Sequence, residues 1–221
     1  MNLLILAALA EEADALFPGT STPIHGAFPV RRLTAHGHAI AIATCGLGKV
    51  NAALAAGLLA ADADLLLMSG TCGALGAEPG RAYWLAEAVQ HDYGANEPGL
   101  FRRYRAGDWP MGEVGQEASG AHFAAMPDPG LGLPHARIAS GDSFIACPDA
   151  AADLKANLGA TLVDMEVGAV AQVAARLGKP WAAIKAVTDD ANDASGGDFQ
   201  ANLLRAARAA GQEVERLVAM L

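Results

Sequence analysis

The amino-acid sequence is poor in charged residues and in aromatic residues. Only 18% of its 221 residues are charged and 52% are hydrophobic, which excludes an intrinsically disordered chain. Aromatic residues make up 5%, so Ala, Val, Leu and Ile must fill most of the core. No apolar run approaches the roughly 18 residues that a bilayer helix needs. We therefore expect a globular protein that does not enter a membrane.

Cysteine and basic residues are also scarce. The three cysteines, Cys45, Cys72 and Cys147, have no close CxxC spacing, which argues against both a disulfide framework and a zinc knuckle. Fifteen Lys and Arg face 24 Asp and Glu, for a net charge of −9 that repels nucleic acid and anionic membranes. We expect a cytoplasmic protein whose partner is a small molecule.

The apolar segment that opens the sequence, MNLLILAALAEEADALF, could be a secretory signal or a buried strand, and no Lys or Arg precedes Arg31. A secretory signal needs a basic region before its apolar core, and here Glu11 and Glu12 follow the Ala-Leu-Ala directly. We favour a strand over residues 3–8 that is buried on both faces and turns into a helix. This strand would place the two acids at its carboxyl end.

The rest of the sequence repeats short apolar runs, small-residue turns and helical stretches, which is typical of an α/β fold. We find no linker or internal repeat, so residues 1–221 are predicted to form one domain. A helix is predicted over residues 199–221, and residues 92–134 are predicted to be long loops with one short helix or strand at most. The clearest later strands are residues 38–44, 64–69, 82–89, 136–140, 161–163 and 181–187.

A glycine-rich turn lies in the stretch TCGLGKVNAAL, between a predicted strand and a helix. A Walker A loop requires Gly five residues before Gly48 and Ser or Thr after Lys49, but the sequence has Ala43 and Val50 there. A nucleoside triphosphate site of this type is therefore excluded. The glycines indicate a turn whose backbone approaches either a ligand or the next strand.

Three acids in the stretch TDDAND, Asp189, Asp190 and Asp193, resemble the arrays that bind magnesium diphosphates in helical prenyl-transferring enzymes. Here they follow a predicted strand, and a strand end does not space carboxylates as a helix face does. We therefore predict no metal site. Asp189 alone is expected to be functional, at a strand end where ligands usually bind, while the other two are turn or solvated residues.

The stretch VDMEVGAVAQVAARLGKP predicts a strand that leads into a helix ending at Gly178. On a helical projection Val170, Val173 and Leu177 lie within about 40° of Glu166, which points this carboxylate at the apolar stripe. An unpaired buried charge costs several kcal/mol. Glu166 therefore requires a partner, which is either an Arg, a backbone amide or the hydroxyls of a ligand.

The sequence resembles the 5'-methylthioadenosine/S-adenosylhomocysteine nucleosidases of the purine nucleoside phosphorylase superfamily in six segments: AEEA, GLGKVNAA, MSGTCGAL, SGDSFI, VDMEVGAV and KAVTD. The resemblance implies an α/β domain whose mixed, twisted central sheet is flanked by helices. It also implies a homodimer, without cofactor or metal, that acts in nucleoside catabolism and methionine salvage. The implied reaction is hydrolysis of the N-glycosidic bond of a 5'-substituted adenine nucleoside.

The resemblance also implies residue roles. Asp189 matches the general acid that protonates N7 of adenine, Glu12 matches the acid that orients the attacking water, and Glu166 matches the carboxylate that holds the ribose hydroxyls. The other implied substrate contacts are Met165 at the sugar, Phe144 and Ile145 at the base, Phe199, Leu9 and Leu47 at the 5'-substituent, and Thr71 and Thr188.

These roles agree with the chemistry of the bond. Loss of a purine passes through an oxocarbenium-like state, so the base must be protonated, the sugar held and the water positioned. Asp189 must carry a proton when adenine leaves, and Glu12 should be ionised to accept hydrogen bonds from water. The family often has Ser, Arg and Ser where this sequence has Thr71, Lys185 and Thr188. Because lysine lacks the planar fork of arginine, we expect backbone amides to orient Asp189.

Two alternative functions remain open, a phosphate-dependent phosphorylase and a catalytically silent nucleoside-binding protein. Met68 stands where phosphorylases carry a phosphate-binding Arg, and Glu12 would repel phosphate, so hydrolysis is favoured. Arg31 and Arg32 could reverse this if they reach a neighbouring subunit's site. The three acids together argue against a binder, and residues 91–109 are expected to decide the preferred 5'-substituent.

Overall fold

The computed structural model describes residues 1–19, 26–108 and 122–221. Within these ranges the chain forms eleven strands and five helices. The strands are β1 (Asn2–Ala7), β2 (Val30–Ala35), β3 (His38–Thr44), β4 (Leu65–Ala74), β5 (Ala82–Gln90), β6 (Gly94–Glu97), β7 (Leu100–Arg103), β8 (His122–Ala124), β9 (His135–Ser140), β10 (Leu162–Asp164) and β11 (Trp181–Asp189). The helices are α1 (Ala10–Asp14), α2 (Lys49–Leu59), α3 (Pro148–Leu158), α4 (Val167–Leu177) and α5 (Ser195–Met220).

Of the described strands, nine form one mixed sheet in the order β10-β9-β5-β11-β4-β1-β3-β2, with β8 paired to β5. Strand β1 runs parallel to β3 and β4, whereas β2 and β3 pair antiparallel. Strands β6 and β7 form a separate hairpin. The predicted mixed sheet flanked by helices is confirmed.

Strand β4 is ten residues long and bends the sheet back on itself. Its first half pairs with β1, and its last residues pair antiparallel with β10, where Ala74 faces Leu162. Because β10 also pairs with β9, the strands β4, β11, β5, β9 and β10 close into a ring. This closure brings the end of β10 next to the ends of β1 and β11.

Alternate residues of the central strands pack against different helices, since side chains of a strand point to opposite faces. In β1, Leu4 and Leu6 pack with α2 and α4, whereas Leu3 and Ile5 pack with α1 and α5. A continuous apolar run is therefore buried on both faces, as the sequence predicts. No helix in the described parts of the chain is both long and apolar enough to cross a bilayer.

Several predicted boundaries need correction. Residues 92–134 contain three short strands, β6, β7 and β8, rather than one element at most, and residues 109–121 lie outside the described part. Strand β2 was not predicted, because as an edge strand it carries alternating Arg, Thr and Leu rather than an apolar run. Helix α4 ends at Gly178 as predicted, with a left-handed φ of 63°. Its last-turn Leu177 is 46% exposed, however, so the buried stripe does not extend to this residue.

Candidate active site

A cavity of about 390 Å³ lies where the ends of β1, β10 and β11 meet the bend of β4. Four of the residues that line it are acids. All but one of the site residues predicted from the sequence line this cavity, the exception being Ile145, which packs beside α3. The lining residues are Ala8, Leu9, Glu12, Leu47, Thr71, Cys72, Gly73, Phe144, Val163, Asp164, Met165, Glu166, Thr188, Asp189 and Phe199.

Glu12 is buried in the short helix α1 and accepts four hydrogen bonds. Its Oε2 accepts from the amides of Ala8 and Leu9 at 3.0 and 3.1 Å. Its Oε1 accepts from the amide and the hydroxyl of Thr71, both at 2.8 Å. Four donors facing one carboxylate fix its position and orientation. Glu12 is therefore held rigidly at the cavity, whereas the neighbouring Glu11 is exposed.

Gly70 leaves the space that the Glu12 carboxylate occupies. A Cβ at this position would lie 2.6 to 2.8 Å from the three carboxyl atoms of Glu12. Its φ of +151° is also one that residues with side chains rarely adopt. The carboxylate therefore packs directly against the backbone of β4.

Arg31 binds the carboxyl end of α1 and does not line the cavity. Its guanidinium donates to the carbonyl oxygens of Ala13 and Leu16 at 2.6 and 2.8 Å, at the carboxyl end of this helix. A cation there satisfies free carbonyls and favours the helix dipole. Arg32 borders a separate concavity of about 490 Å³ at the amino ends of β1 and β3, which contains none of the predicted site residues. Neither arginine contributes to the cavity within this chain.

Glu166 lies immediately before α4 and is buried. Its Oε1 accepts a hydrogen bond of 2.9 Å from the amide of Gly48, and its Oε2 lies 3.7 Å from Lys185 Nζ. Burial raises the pKa of Glu166 to about 7, against the opposing influence of Lys185. The glycine-rich turn thus approaches a carboxylate of the site.

Lys185 is fully buried and pairs with acids of the VDME segment. Its Nζ lies 3.1 Å from Asp164 Oδ2, and the negative charges of Asp164 and Glu166 hold the pKa of Lys185 above its usual range despite burial. Asp164 also accepts from the Ser140 hydroxyl at 2.5 Å. The ion pairs of Lys185 are with Asp164 and Glu166, so this side chain is engaged away from Asp189.

Asp189 is presented by a β-bulge at the end of β11. Val187 pairs with Cys72 and Asp189 with the next residue of β4, so Thr188 is the extra residue. Asp189 Oδ1 accepts from the Ala191 amide at 3.1 Å, which agrees with orientation by a backbone amide. Bulges of this kind often redirect a side chain beside an active site.

The hydroxyl of Thr188 lies 2.8 Å from Asp189 Oδ2 and 3.1 Å from the carbonyl oxygen of Cys72. A hydroxyl has one proton, and a carbonyl oxygen can only accept. When this proton goes to Cys72, the Thr188 oxygen can accept a proton from Asp189. The contact therefore accommodates a protonated Asp189.

The remaining acids of the TDDAND stretch, Asp190 and Asp193, are exposed and do not line the cavity. No group of three or more His, Cys, Asp or Glu among the described residues is arranged to hold a metal ion. Only Asp189 of this array reaches the cavity.

Apolar side chains form the other side of the cavity. Phe144 and Phe199 meet edge to face, with their ring centroids 6.1 Å apart, and Leu9, Leu47 and Met165 complete the wall. None of the described residues in 91–108 lines the cavity, and Trp109 lies outside the described part. The expected influence of residues 91–109 on the 5'-substituent therefore has no support within one chain.

Sequence reasoning missed several residues that shape the site. Asp164 lies two residues before Glu166 in the same segment, and the shared acidic character of the two was the available signal. Gly70 lies in the SGTCG stretch of β4, where nothing in the local pattern indicates that a carboxylate of α1 packs against it. The glycine-rich turn predicts a close approach by the backbone of Gly48, but not its partner Glu166, which lies 118 residues away.

Comparison with known proteins identifies the family of the chain. Residues 4–219 match the family model of the phosphorylase superfamily. The chain is 32% identical over 190 residues to a 5'-methylthioadenosine/S-adenosylhomocysteine nucleosidase of Geobacillus kaustophilus, covering 80% of this chain and 77% of the relative. The Staphylococcus saprophyticus enzyme of the same name is 31% identical over 193 residues, covering 83% and 82%.

A solved structure has the same fold. It is the 5'-methylthioadenosine/S-adenosylhomocysteine nucleosidase of Neisseria meningitidis in complex with methylthio-immucillin-A, with a TM-score of 0.82 and 25% identity, covering 100% of this chain and 99% of the neighbour. On the match over residues 4–219 and the identity to the curated relatives, the chain belongs to the phosphorylase superfamily and, within it, to the 5'-methylthioadenosine/S-adenosylhomocysteine nucleosidases.

Proposed function

We propose that the protein hydrolyses the N-glycosidic bond of 5'-substituted adenine nucleosides, such as 5'-methylthioadenosine or S-adenosylhomocysteine, and releases adenine. One observation carries the proposal. Glu12, Glu166 and Asp189 line one cavity, and each has different hydrogen-bond partners. Family membership agrees with this reaction.

The three carboxyl groups divide the chemistry. Asp189, which can hold a proton against Thr188, donates it to N7 so that adenine leaves as a neutral base. Glu166 accepts hydrogen bonds from the ribose hydroxyls and holds the sugar as positive charge builds on it. Glu12 and the Thr71 hydroxyl orient the water. The Thr71 hydroxyl donates its proton to Glu12, so its oxygen keeps lone pairs that can accept a proton of the water.

The charges around the cavity support water as the nucleophile. The described lining residues include four acids and no Arg or Lys, and Lys185 is already paired with Asp164 and Glu166. Met68 is buried in the core, where it cannot bind an anion. Phosphate would therefore be repelled at the proposed position of the attacking water.

The apolar wall supports a thioether at the 5' position. Leu9, Leu47 and Phe199 present no charged or hydrogen-bonding side-chain atom to a substituent. A free 5'-hydroxyl placed among them would lose its hydrogen bonds to water, which costs about 1–3 kcal/mol. We propose that this wall selects 5'-alkylthio nucleosides over adenosine.

We also propose a homodimer formed by the outer face of α2. Val50, Leu54 and Leu58 lie on this face at helical spacing, Leu47 lies just before the helix, and all four are 50 to 75% exposed. Large exposed patches of this kind mark interaction surfaces. Because Leu47 also lines the cavity, a partner seated on this face would complete its rim. The three free cysteines agree with a reducing cytoplasm, which we propose as the location.

The test is a substrate panel. Purified protein is incubated with 5'-methylthioadenosine, S-adenosylhomocysteine, adenosine and inosine, each with and without phosphate, and free base and ribose 1-phosphate products are measured. We expect adenine release from the two thio-nucleosides that does not depend on phosphate. Base release only with phosphate would indicate a phosphorylase, and no release from any nucleoside would indicate a binding protein.

A further inference from the structure

Three charged residues outside the cavity connect two of its loops. Lys49 Nζ donates to Asp92 Oδ1 at 2.6 Å, and the amide of Asp142 donates to Asp92 Oδ2 at 2.9 Å. The amide of Lys49 in turn donates to Asp142 Oδ1 at 2.7 Å. These contacts form a closed cycle of three residues, which we call the Lys49–Asp92–Asp142 latch.

Each end of the latch is adjacent to a different part of the cavity. Gly48, directly before Lys49, donates its amide to Glu166, the proposed sugar-holding carboxylate. Phe144, two residues after Asp142, is the aromatic residue of the proposed base subsite. The latch therefore joins the loop that holds the sugar carboxylate to the loop that carries the base wall.

The contacts of the latch differ from those of an ordinary surface ion pair. The side chain of Lys49 is only 18% exposed, and it also donates to Gln90 at 3.2 Å. Burial raises the pKa of Asp92, but hydrogen bonds from Lys49 and from the Asp142 amide outweigh it and hold the pKa below its usual value. The two oxygens of Asp92 thus accept hydrogen bonds from two different loops, one that contains Lys49 and one that contains Asp142.

We propose that Lys49, Asp92 and Asp142 are positioning residues that fix the spacing between the sugar and base subsites. This role rests on the proposed nucleosidase function. The bond to be broken joins the two parts of the substrate, so the substrate binds both subsites without reordering a loop only when their spacing is already fixed. It also gives the lysine of the GLGK turn a role other than phosphate binding.

The contacts predict how the latch should fail. Glu12 and Asp189 are held by other groups, at Thr71 and Ala191, so they keep their positions when the latch is removed. The base loop must then be ordered by the substrate, which weakens binding. We expect KM to rise about tenfold because of this ordering cost, while kcat changes less than threefold because Glu12 and Asp189 keep their positions.

The two acids should respond differently to amidation. Asp142 uses one oxygen, as an acceptor for the Lys49 amide, and an asparagine retains such an acceptor. Asp92 uses both oxygens as acceptors, so an asparagine would turn its NH2 towards either the Lys49 ammonium or the Asp142 amide. Asp142→Asn should therefore be nearly normal, while Asp142→Ala, Asp92→Asn and Lys49→Met should share the raised KM.

The experiment measures KM and kcat for 5'-methylthioadenosine and the melting temperature of these four variants. Arg216→Met, which removes an ion pair with Glu213 on α5, is the control. The double variant of Lys49→Met and Asp92→Asn should be no worse than either single one. Variants that behave like the control, or an Asp142→Asn as impaired as Asp142→Ala, would overturn the latch.

A failure of the proposed reaction is distinguishable from a failure of the latch. If the unmodified protein does not hydrolyse the nucleoside, the proposed function is wrong, and calorimetric titration with adenine still tests the latch. Lys49→Met and Asp92→Asn should bind adenine more weakly than the unmodified protein. Equal adenine affinity in all variants would contradict the latch.

Discussion

Replacing Gly70 by alanine should remove the function of Glu12 without changing any acidic residue. The added Cβ would lie 2.6 Å from Glu12 Oε1, whereas C···O contacts are normally about 3.3 Å or longer. The carboxylate must therefore move by roughly 0.7 Å. Its hydrogen bonds of 2.8 to 3.1 Å to β4 and to the β1–α1 turn cannot all survive such a movement.

The expected result is a fall in kcat of about 100-fold, the lower range for loss of a positioned acid or base. The positive φ adds a stability cost of about 1–3 kcal/mol. Gly37→Ala is the matched control, because Gly37 has a φ of +80° with nothing within 4 Å of its Cβ position. Adenine release and thermal unfolding are measured on both variants. Normal turnover by Gly70→Ala would refute the assignment of Glu12.

The ionisation of Glu166 and the α2 surface give two further predictions. Because the pKa of Glu166 is about 7, its carboxylate becomes protonated below this pH and loses acceptor capacity, so KM should rise as pH falls below 7 and level off above it. Lys185→Met should shift this inflection to higher pH, because the ammonium no longer stabilises the Glu166 carboxylate. Breaking a buried ion pair also costs about 3–5 kcal/mol of stability, so Lys185→Arg, which keeps the charge, is the comparison. A KM independent of pH would contradict the role of Glu166. Leu54→Asp should convert a dimer to a monomer in sedimentation analysis. Leu204→Asp, which changes a similarly exposed leucine on α5, should leave the dimer intact. A Leu54→Asp variant that sediments as a dimer would contradict the proposed interface.

Local sequence patterns predicted the strands and helix ends that have a clear signal of their own, such as an unbroken apolar run or a capping glycine. Strand β3 was placed at its observed bounds, and the end of α4 at Gly178 followed from the need for a left-handed residue there. The doubly buried β1 also follows from its unbroken apolar run. Strands β6 to β8 were missed because they are only three or four residues long, too short to show an alternating pattern. Strands β6 and β7 pair with each other in a hairpin, and β8 is fixed by its pairing with β5.

The candidate site was predictable in its acids but not in their partners. Glu12, Glu166 and Asp189 stand out in sequence because each follows an apolar strand. Several of their partners lie far away along the chain: Thr71 is 59 residues from Glu12, and Gly48 is 118 residues from Glu166. Lys185 is a further example, since the sequence does not indicate its partner and the fold pairs it with Asp164, 21 residues earlier. Such pairings depend on the closure of the sheet, which no local pattern encodes.

The turnover of Asp189→Asn tests the central claim most directly. Asparagine can keep both contacts of a protonated Asp189, since its oxygen accepts from the Ala191 amide and its NH2 donates to the Thr188 hydroxyl. The fold and the affinity for 5'-methylthioadenosine should therefore persist, while the proton for N7 is lost. We predict normal binding in calorimetry with kcat reduced about 100- to 10,000-fold. A variant that releases adenine at the unmodified rate would contradict the account.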